Sequence, residues 1–495
     1  MKSCIAAIKL SLRSLKRMDL NDSVNLKELP QLSTATNLEK LNLRNCSSLI
    51  KLPSLNGNSL EELDIGGCSS LVEFPSFIGN TVNLQIMDLR HCSSLIKLPS
   101  LSGNSLEKLD ISGCSSLVEF PSCTGNAVNL RELDLSSFQN LLELPSYVGN
   151  ATNLEKLDLS NCLNLVELPL SLGNLQKLQR LILKGCSKLE VLPTNIILES
   201  LKKLDLAGCS SLDLAGCSII GNAVNLRELD ISSLPQLLEL PSIIGKATNL
   251  EKLDVRFCSN LVELPLSLGN LQKLQRLILK GCSKLDVLPA NINLESLNVL
   301  NLCDCSMLTR FPQISTNIIF LDLIGTAIEQ VPPSIMSWPR LEELKMSYFE
   351  NLQEFPHALE RITELCLTDT EIQELPPWVK KMSSLNRFVL MGCRKLVSVP
   401  PISDSISSIN ASDCESLEIL ECSFHNSKVR LNFASCFKLN QEARGLIIKT
   451  NSRYAVLPGG KVPEYFTHRA TGGGPLTIKL NEKPLSKSMS MHLAG

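Results

Sequence analysis

The most chemically versatile residues of this sequence are its 19 cysteines, whose thiolates could bind zinc or act as nucleophiles. Thirteen of them recur at one phase of a repeating pattern, among them Cys46, Cys92, Cys162, Cys258 and Cys414. Zinc needs four converging ligands, and one cysteine per repeat lacks the paired C-x-x-C spacing of such sites. We therefore predict that these thiols are small buried hydrophobic groups. The isolated pair Cys303 and Cys305 is not predicted to bind metal either.

A second recurring group is a column of aspartates, which in pairs could perform acid–base chemistry. The column comprises Asp64, Asp88, Asp110, Asp134, Asp158, Asp205, Asp230, Asp254 and Asp322. Its members are evenly spaced, with Lys or Glu two residues earlier, as at Lys108, Lys156 and Lys252. This pattern favours a solvated ladder of cross-strand charges over a catalytic dyad.

Other signals of catalysis are weak. The dipeptides Gly245-Lys246 and Gly460-Lys461 lack the spacing and the following hydroxyl of a phosphate-binding loop. The five histidines form no H-E-x-x-H motif, and no Ser or Cys lies in the sequence context of a nucleophile elbow. We therefore predict that the chain is not an enzyme and uses neither a cofactor nor a metal.

The elements that position these residues are copies of L-x-x-L-x-L-x-x-C, which return every 21 to 25 residues. In Leu154-Glu-Lys-Leu157-Asp-Leu159-Ser-Asn-Cys162, the alternation around Leu157 and Leu159 predicts a short strand with one buried face. Pro169 ends the following Leu-Pro segment and favours a turn. The period is typical of leucine-rich repeats. It predicts an α/β repeat solenoid, a right-handed horseshoe with a parallel sheet on its concave face.

Two longer-range repetitions interrupt the regularity of the array. The segment Asn126–Ser200 reappears almost unchanged as Asn222–Ser296, an offset of 96 residues or four repeats. We call these segments copy one and copy two. A shorter slip duplicates Leu204-Asp-Leu-Ala-Gly-Cys209 as Leu212-Asp-Leu-Ala-Gly-Cys217 and lengthens that repeat to 25 residues. We expect a local irregularity near Asp213.

The overall composition excludes several classes of partner. With 48 basic and 50 acidic residues, the net charge of -2 gives no electrostatic footprint for nucleic acid or for an anionic membrane. No run of about 18 apolar residues occurs, which argues against a membrane span. The first 17 residues make a poor signal peptide because Lys9 interrupts their apolar stretch. We expect a protein that is not secreted, that is cytoplasmic or nuclear, and whose cysteines remain thiols.

Several repeats resemble those of plant disease-resistance proteins, in particular Leu109-Asp-Ile-Ser-Gly-Cys-Ser-Ser-Leu-Val-Glu-Phe-Pro121 and Leu321-Asp-Leu-Ile-Gly-Thr-Ala-Ile-Glu-Gln-Val-Pro-Pro-Ser-Ile335. The closest class carries an N-terminal Toll/interleukin-1-receptor domain and a nucleotide-binding domain. For this chain the resemblance implies recognition of a pathogen effector and an autoinhibitory contact with the nucleotide-binding domain of the same receptor. The NAD-cleaving Toll-type domain and the nucleotide-binding switch have no counterpart in the sequence, so their residues are not carried over.

The end of the sequence adds to this resemblance. Leu431-Asn-Phe-Ala-Ser-Cys-Phe-Lys-Leu-Asn440 and Val456-Leu-Pro-Gly-Gly-Lys-Val-Pro-Glu-Tyr-Phe466 are similar to the start of the jelly-roll/Ig-like domain that follows the repeats in that class. We therefore divide the chain into a lead-in (1–14), a solenoid of about 18 to 19 repeats (15–440) and an incomplete β-sandwich segment (441–495). The segment is too short to close a two-sheet sandwich.

The candidate binding site consists of outward-facing strand positions, and positions next to them, where the repeated Asp, Lys and Glu are replaced by other residue types. These residues are Phe257, Phe320, Lys345, Tyr348, Arg387, Val389 and Met391. Aromatic, Met and Arg side chains dominate binding energy at interfaces, so we predict a protein-binding patch there. The competing interpretation is drift, or lateral packing between neighbouring repeats. For the whole chain, the alternative function is an intracellular scaffold or adaptor that holds host proteins together, because fold alone does not choose between them.

Overall fold

The computed structural model describes residues 12–55, 59–74, 81–98, 105–118, 128–328, 338–346, 361–375, 377–424, 428–450, 452 and 454–458. The chain divides into two compact units, Met1–Ser315 and Thr316–Gly495. Both units consist of short parallel strands, about one per repeat, joined by turns. This architecture confirms the predicted leucine-rich-repeat solenoid with its parallel sheet.

The described residues of the first unit form thirteen strands of three residues each. They are β1 (Arg17–Asp19), β2 (Lys40–Asn42), β3 (Glu62–Asp64), β4 (Ile86–Asp88), β5 (Lys108–Asp110), β6 (Glu132–Asp134), β7 (Lys156–Asp158), β8 (Arg180–Ile182), β9 (Lys203–Asp205), β10 (Glu228–Asp230), β11 (Lys252–Asp254), β12 (Arg276–Ile278) and β13 (Val299–Asn301). Each strand pairs in parallel with the next, and the leucines stay in register, as in Leu133, Leu157 and Leu181. Equivalent side chains therefore form straight columns across the sheet.

In the part of the second unit that the structure describes there are nine strands. They are β14 (Phe320–Leu323), β15 (Glu343–Met346), β16 (Glu364–Leu367), β17 (Arg387–Val389), β18 (Ser398–Val399), β19 (Ser408–Asn410), β20 (Ile419–Leu420), β21 (Arg430–Asn432) and β22 (Tyr454–Val456). Strands β14 to β17 pair in succession, as do β17, β19, β21 and β22. Strands β18 and β20 form a separate parallel pair.

The chain continues the parallel sheet past residue 440, where the sequence places the start of a new segment. Asn440 caps the helix α2 (Gln441–Lys449) by accepting a hydrogen bond of 2.7 Å from the backbone N–H of Ala443. Strand β22 then pairs in parallel with β21, so the strands extend beyond the predicted boundary. Most of the segment assigned to a jelly-roll lies outside the described residues, and that assignment stays a prediction.

Leucine burial explains why each repeat folds as it does. Leu157 and Leu159 flank Asp158 and are fully buried, which gives the predicted alternation of faces. After the strand the chain turns inward at Cys162, and Pro169 precedes a 3-10 helix. Such helices span Leu12–Ser14, Ser146–Asn150, Leu170–Asn174, Ser242–Lys246, Leu266–Asn270 and Pro377–Lys381. Stacked neighbours thus bury a continuous leucine core that no single repeat could bury alone.

The lengthened repeat shows the irregularity predicted near Asp213. Its second Leu-Asp-Leu-Ala-Gly-Cys copy forms turns instead of a strand, although Leu212, Leu214 and Cys217 are buried. A short α-helix, α1 (Ser218–Asn222), follows where neighbouring repeats have a 3-10 helix. Among the described residues, no helix has the length and apolarity to span a membrane.

Candidate protein-binding surface

The thiol column is structural, as its periodicity predicted. Cys162 and Cys258 are fully buried, and their thiols donate hydrogen bonds of 3.3 and 3.2 Å to the carbonyls of Leu135 and Ile231 in the preceding repeat. Burial raises the pKa of Cys162 to about 12 and that of Cys258 to about 11. Both thiols are therefore protonated at neutral pH, a state unsuited to nucleophilic attack or to metal binding.

The aspartate column forms cross-strand charge pairs, as its spacing predicted, but it is less solvated than predicted because Asp88, Asp110, Asp254 and Asp322 are buried. The ammonium of Lys156 lies 3.5 Å from a carboxylate oxygen of Asp134 and 3.3 Å from one of Asp158. Lys108 and Glu132 pair at 3.0 Å in the adjoining column. Burial raises the pKa of the carboxyls of Asp64, Asp134 and Asp205. Such partly exposed pairs contribute little stability, so this part of the surface is polar and repetitive. Within the described ranges, no three His, Cys, Asp or Glu side chains assemble a potential metal cluster.

The turn after β11, in copy two, departs from this regular pattern. Phe257 is 53% exposed although it adopts the left-handed conformation, with φ of 59°. That region is a genuine outlier for a bulky side chain and costs about 1–3 kcal/mol. Elsewhere the described left-handed turn residues are Gly, Asn, Asp, Ser or His. The sequence predicted an outward aromatic residue here. The structure adds that its backbone adopts a conformation that Phe rarely takes.

Two neighbours hold this turn in place. The backbone N–H of Phe257 donates a 2.7 Å hydrogen bond to the carbonyl of Lys280 in the next repeat. The ring covers Gly281, where a Cβ would lie 2.6 Å from the Phe257 Cδ1. A side chain at Gly281 would therefore displace the ring.

Arg256 is a member of this surface that the sequence analysis missed. Its Nε donates a 2.9 Å hydrogen bond to Asp254, which is only 1% exposed, and the Arg256 side chain remains 43% exposed. Arg256 thus presents a cation beside Phe257 while it pairs with a buried carboxylate. A comparison of the two copies could have identified Arg256, because copy one has Ser160 and Asn161 where copy two has Arg256 and Phe257.

In the second unit, the structure brings together three of the predicted residues across four strands. The Lys345 ammonium lies 4.9 Å from the centroid of the Phe320 ring and 2.9 Å from a carboxylate oxygen of Glu343. Partial burial lowers the pKa of Lys345, but the hydrogen bond that Lys345 donates to Glu343 and the negative charges of nearby carboxylates together raise it overall. Arg387 pairs with Glu364 at 2.7 Å, and Glu364 is in register with Glu343.

The other predicted residues differ in exposure. Met391 lies in the turn after β17 and is 41% exposed. Val389 occupies the outward register but is only 8% exposed, less than predicted, because it lies between Cys366 and Asn410 on the adjacent strands. Tyr348 lies outside the described residues. Since Phe257 belongs to the first unit and the others to the second, they are considered as two separate patches.

Comparison with known protein families identifies the repeat type. The Leucine Rich Repeat family model matches residues 153–175. The probable disease resistance protein RPP1 of Arabidopsis thaliana is 49% identical over 199 residues, which make up 40% of this chain and 16% of that protein. The disease resistance protein TAO1 of the same plant is 59% identical over 96 residues, or 19% of this chain and 8% of that protein. The chain thus spans less than a fifth of these relatives, and the resemblance to plant disease-resistance repeats is confirmed.

Solved structures support the fold alone. A leucine-rich-repeat protein of Leptospira interrogans has a TM-score of 0.50 at 23% identity, and the match covers 84% of this chain and 97% of that one. A chain of the Drosophila Toll–Spatzle complex has a TM-score of 0.51 at 15% identity, covering 82% of this chain and 54% of that one. Both matches confirm the solenoid fold, and neither identifies a ligand for this chain.

Proposed function

Since the repeats are of the plant disease-resistance type, we propose that this chain is a protein-binding recognition module of a plant innate immune receptor. In this proposal the chain senses a pathogen effector or a host protein, and in the resting state it contacts the nucleotide-binding domain of the same receptor. It acts in the cytoplasm or the nucleus, contributes to autoinhibition, and passes recognition on to signal transduction without catalysing a reaction itself.

The observation that carries the proposal is the exposed, left-handed Phe257. A strained Phe in a turn that elsewhere takes Gly, Asn, Asp, Ser or His calls for a compensating gain, and binding to a partner is such a gain. Arg256 adds an exposed cation beside it. Trp, Tyr and Arg lead the residue types at binding hot spots, and a Phe–Arg pair offers the same combination of ring and guanidinium.

A second patch on the second unit supports the same function. Phe320, Lys345 and Arg387 present an aromatic ring and two cations on neighbouring strands. The charges are partly neutralised by Glu343 and Glu364, so a partner would meet a mixed polar and aromatic surface. We propose that both patches contact protein, the first through Phe257 and the second through Phe320.

The proposal can be tested by screening the full chain in a two-hybrid assay against secreted pathogen effectors and against host immune proteins. Each hit is then titrated with purified wild-type chain and with the variants Phe257→Ala and Phe320→Ala. We expect each substitution to cost about 1–4 kcal/mol of binding free energy without lowering the melting temperature. Lys108→Ala and Lys156→Ala, which change the regular ladder, are the matched controls and should bind normally. If the controls abolish binding while both Phe variants bind as tightly as the wild type, the proposed placement is wrong.

A further inference from the structure

A groove on the first unit lies beside the lengthened repeat. Its lining residues do not include any of the predicted binding residues. The groove has a volume of about 690 Å³, within the range of about 300–1,000 Å³ typical of ligand sites. One wall is the duplicated stretch 211–215, and the other is formed by the next two repeats at Leu238 and Val262. Those two aliphatic side chains are 64% and 46% exposed, so the groove has an open apolar surface.

A gap in the backbone hydrogen bonds between successive repeats lies at the edge of this groove. After the strands, successive repeats are joined by a second ladder of backbone hydrogen bonds, in which Asp213 bonds to Glu190 and Val262 bonds to Leu238. Across the described residues, no bond of this ladder joins Leu238 to Asp213, and none joins the equivalent Leu142 of copy one to Val118. The Leu238 N–H therefore remains available at the edge of the groove.

The charge of the groove is strongly one-sided. Asp213, Glu239 and Glu263 line it, all three are exposed, and no Lys, Arg or His is among the lining residues. Glu239 and Glu263 are paired directly across a parallel bridge, which places two like charges side by side. Like charges in such positions are mutually destabilising, and a bound cation would relieve the repulsion.

From these features we infer that the groove binds an extended basic segment of a partner protein, with an aliphatic side chain placed between lysines or arginines. The aliphatic side chain packs against Leu238 and Val262, the basic side chains pair with Asp213, Glu239 and Glu263, and the peptide carbonyl accepts from the Leu238 N–H. The residues of this site differ from those of the patches at Phe257 and Phe320, so it adds a third contact to the proposed recognition module without depending on them.

A direct test uses the full chain and a fluorescein-labelled peptide, Gly-Lys-Leu-Lys-Val-Lys-Gly, followed by fluorescence anisotropy. We expect saturable binding with a Kd of about 10–500 μM. The charge-reversal variant Glu239→Lys/Glu263→Lys and the apolar variant Leu238→Ser/Val262→Ser should each weaken binding at least about tenfold. A peptide with Glu in place of Lys, and one with Ser in place of Leu and Val, should bind at least about tenfold more weakly than the probe.

Copy one supplies matched controls for this test. Its Glu143→Lys/Glu167→Lys and Leu142→Ser/Val166→Ser variants change the equivalent residues, 96 positions earlier, beside a repeat without the slip. These should alter the Kd less than about twofold. No saturable binding up to about 1 mM, or equal losses in copies one and two, overturns the inference. Circular dichroism melts of every variant separate loss of binding from loss of folding, and the Phe257 and Phe320 variants should bind the probe normally.

Discussion

Copy one and copy two are nearly the same sequence in the same fold, yet their turns after β7 and β11 present different surfaces. In copy one, Asn161 takes the left-handed conformation at φ of 58°, which Asn tolerates, and in copy two Phe257 takes it at 59°. Both donate their backbone N–H to the next repeat, at 2.6 and 2.7 Å. The backbone is thus fixed by the repeat, and only the side chain displayed by the turn has changed.

The residue before the turn changes in the same way. Ser160 donates a 2.6 Å hydrogen bond to Asp158 in copy one, and Arg256 donates one of 2.9 Å to Asp254 in copy two. Each bonds one oxygen of the strand aspartate, and among the described residues the buried Oδ2 of Asp254 has no hydrogen-bond partner. Only Arg256 adds charge to the surface. In both copies the positions facing the core specify the fold, while the turn after the strand can change its side chains and with them the surface available for binding.

The largest expected effect comes from converting the turn of copy two into that of copy one. Arg256→Ser/Phe257→Asn should lower the affinity for the protein ligand by about 2–4 kcal/mol, because a ring and a cation are both lost from the contact. The measurement is isothermal titration calorimetry with a partner found by the two-hybrid screen.

The reverse exchange, Ser160→Arg/Asn161→Phe, is the control for this change and should leave affinity within about 0.5 kcal/mol of the wild type. Equal losses from both exchanges would show that the two turns do not differ in function.

A smaller effect is expected in the coupling of each turn to its strand aspartate. A double-mutant cycle with Asp254→Ala and Arg256→Ala should give a coupling free energy of about 1.5–3 kcal/mol, because this hydrogen bond is charge-assisted and its acceptor is buried. The cycle with Asp158→Ala and Ser160→Ala should give about 0.5–1.5 kcal/mol. Both are obtained from urea unfolding, and a larger value for copy one would contradict the assigned role of Arg256.

Backbone strain at Phe257 should produce an effect of about 1 kcal/mol. Phe257→Asn should raise the free energy of unfolding by about that amount, because Asn is tolerated in the left-handed region and the ring is half exposed. Asn161→Phe should lower it by a similar amount. Thermal and urea unfolding measure both, and destabilisation by Phe257→Asn would mean that packing on Gly281 outweighs the strain.

The smallest difference is expected at the thiols, where the copies agree. Cys162→Ala and Cys258→Ala should each cost about 1–2 kcal/mol, and the two costs should match within about 0.5 kcal/mol, since each loses a buried side chain and one hydrogen bond. Because burial raises both pKa values, to about 12 and about 11, their stabilising contribution is complete below about pH 8.5 and is lost as pH rises through those values. Urea unfolding between pH 7 and about 11 checks this, and non-reducing mass spectrometry should find the cysteines free.

The periodicity predicted the strand register and the buried positions that all repeats share. It did not predict the backbone conformation of individual turns. The register of Leu157 and Leu159 and the burial of Cys162 follow from spacing, because a buried face repeats in every copy. The left-handed φ of Phe257 could not be derived from residue type, since Phe avoids that region. The burial of Val389 also escaped prediction, because it depends on the neighbours Cys366 and Asn410 in other repeats.

For the lengthened repeat, the sequence predicted that an irregularity occurs near Asp213 but not its form, and it did not predict a groove. The echo of Leu204–Cys209 at 212–217 indicated that the chain must depart from the regular repeat near Asp213. Whether the extra residues extend a strand, loop outward or form a helix depends on a few local contacts that no period specifies. The sequence did not predict strand β22 either, because its pairing with β21 lies beyond the last recognisable copy of the motif.

Because the backbone of each repeat bonds to its immediate neighbours, the array has a genetic consequence. An in-frame gain of 96 residues inserts four complete units and recreates the same junctions at both ends, so unequal recombination can lengthen or shorten the coding sequence without creating a misfolded protein. The new copy is free to mutate its displayed turns while the original keeps working. Asn161 and Phe257 are then duplicated positions within one gene that now carry different side chains and form different surfaces.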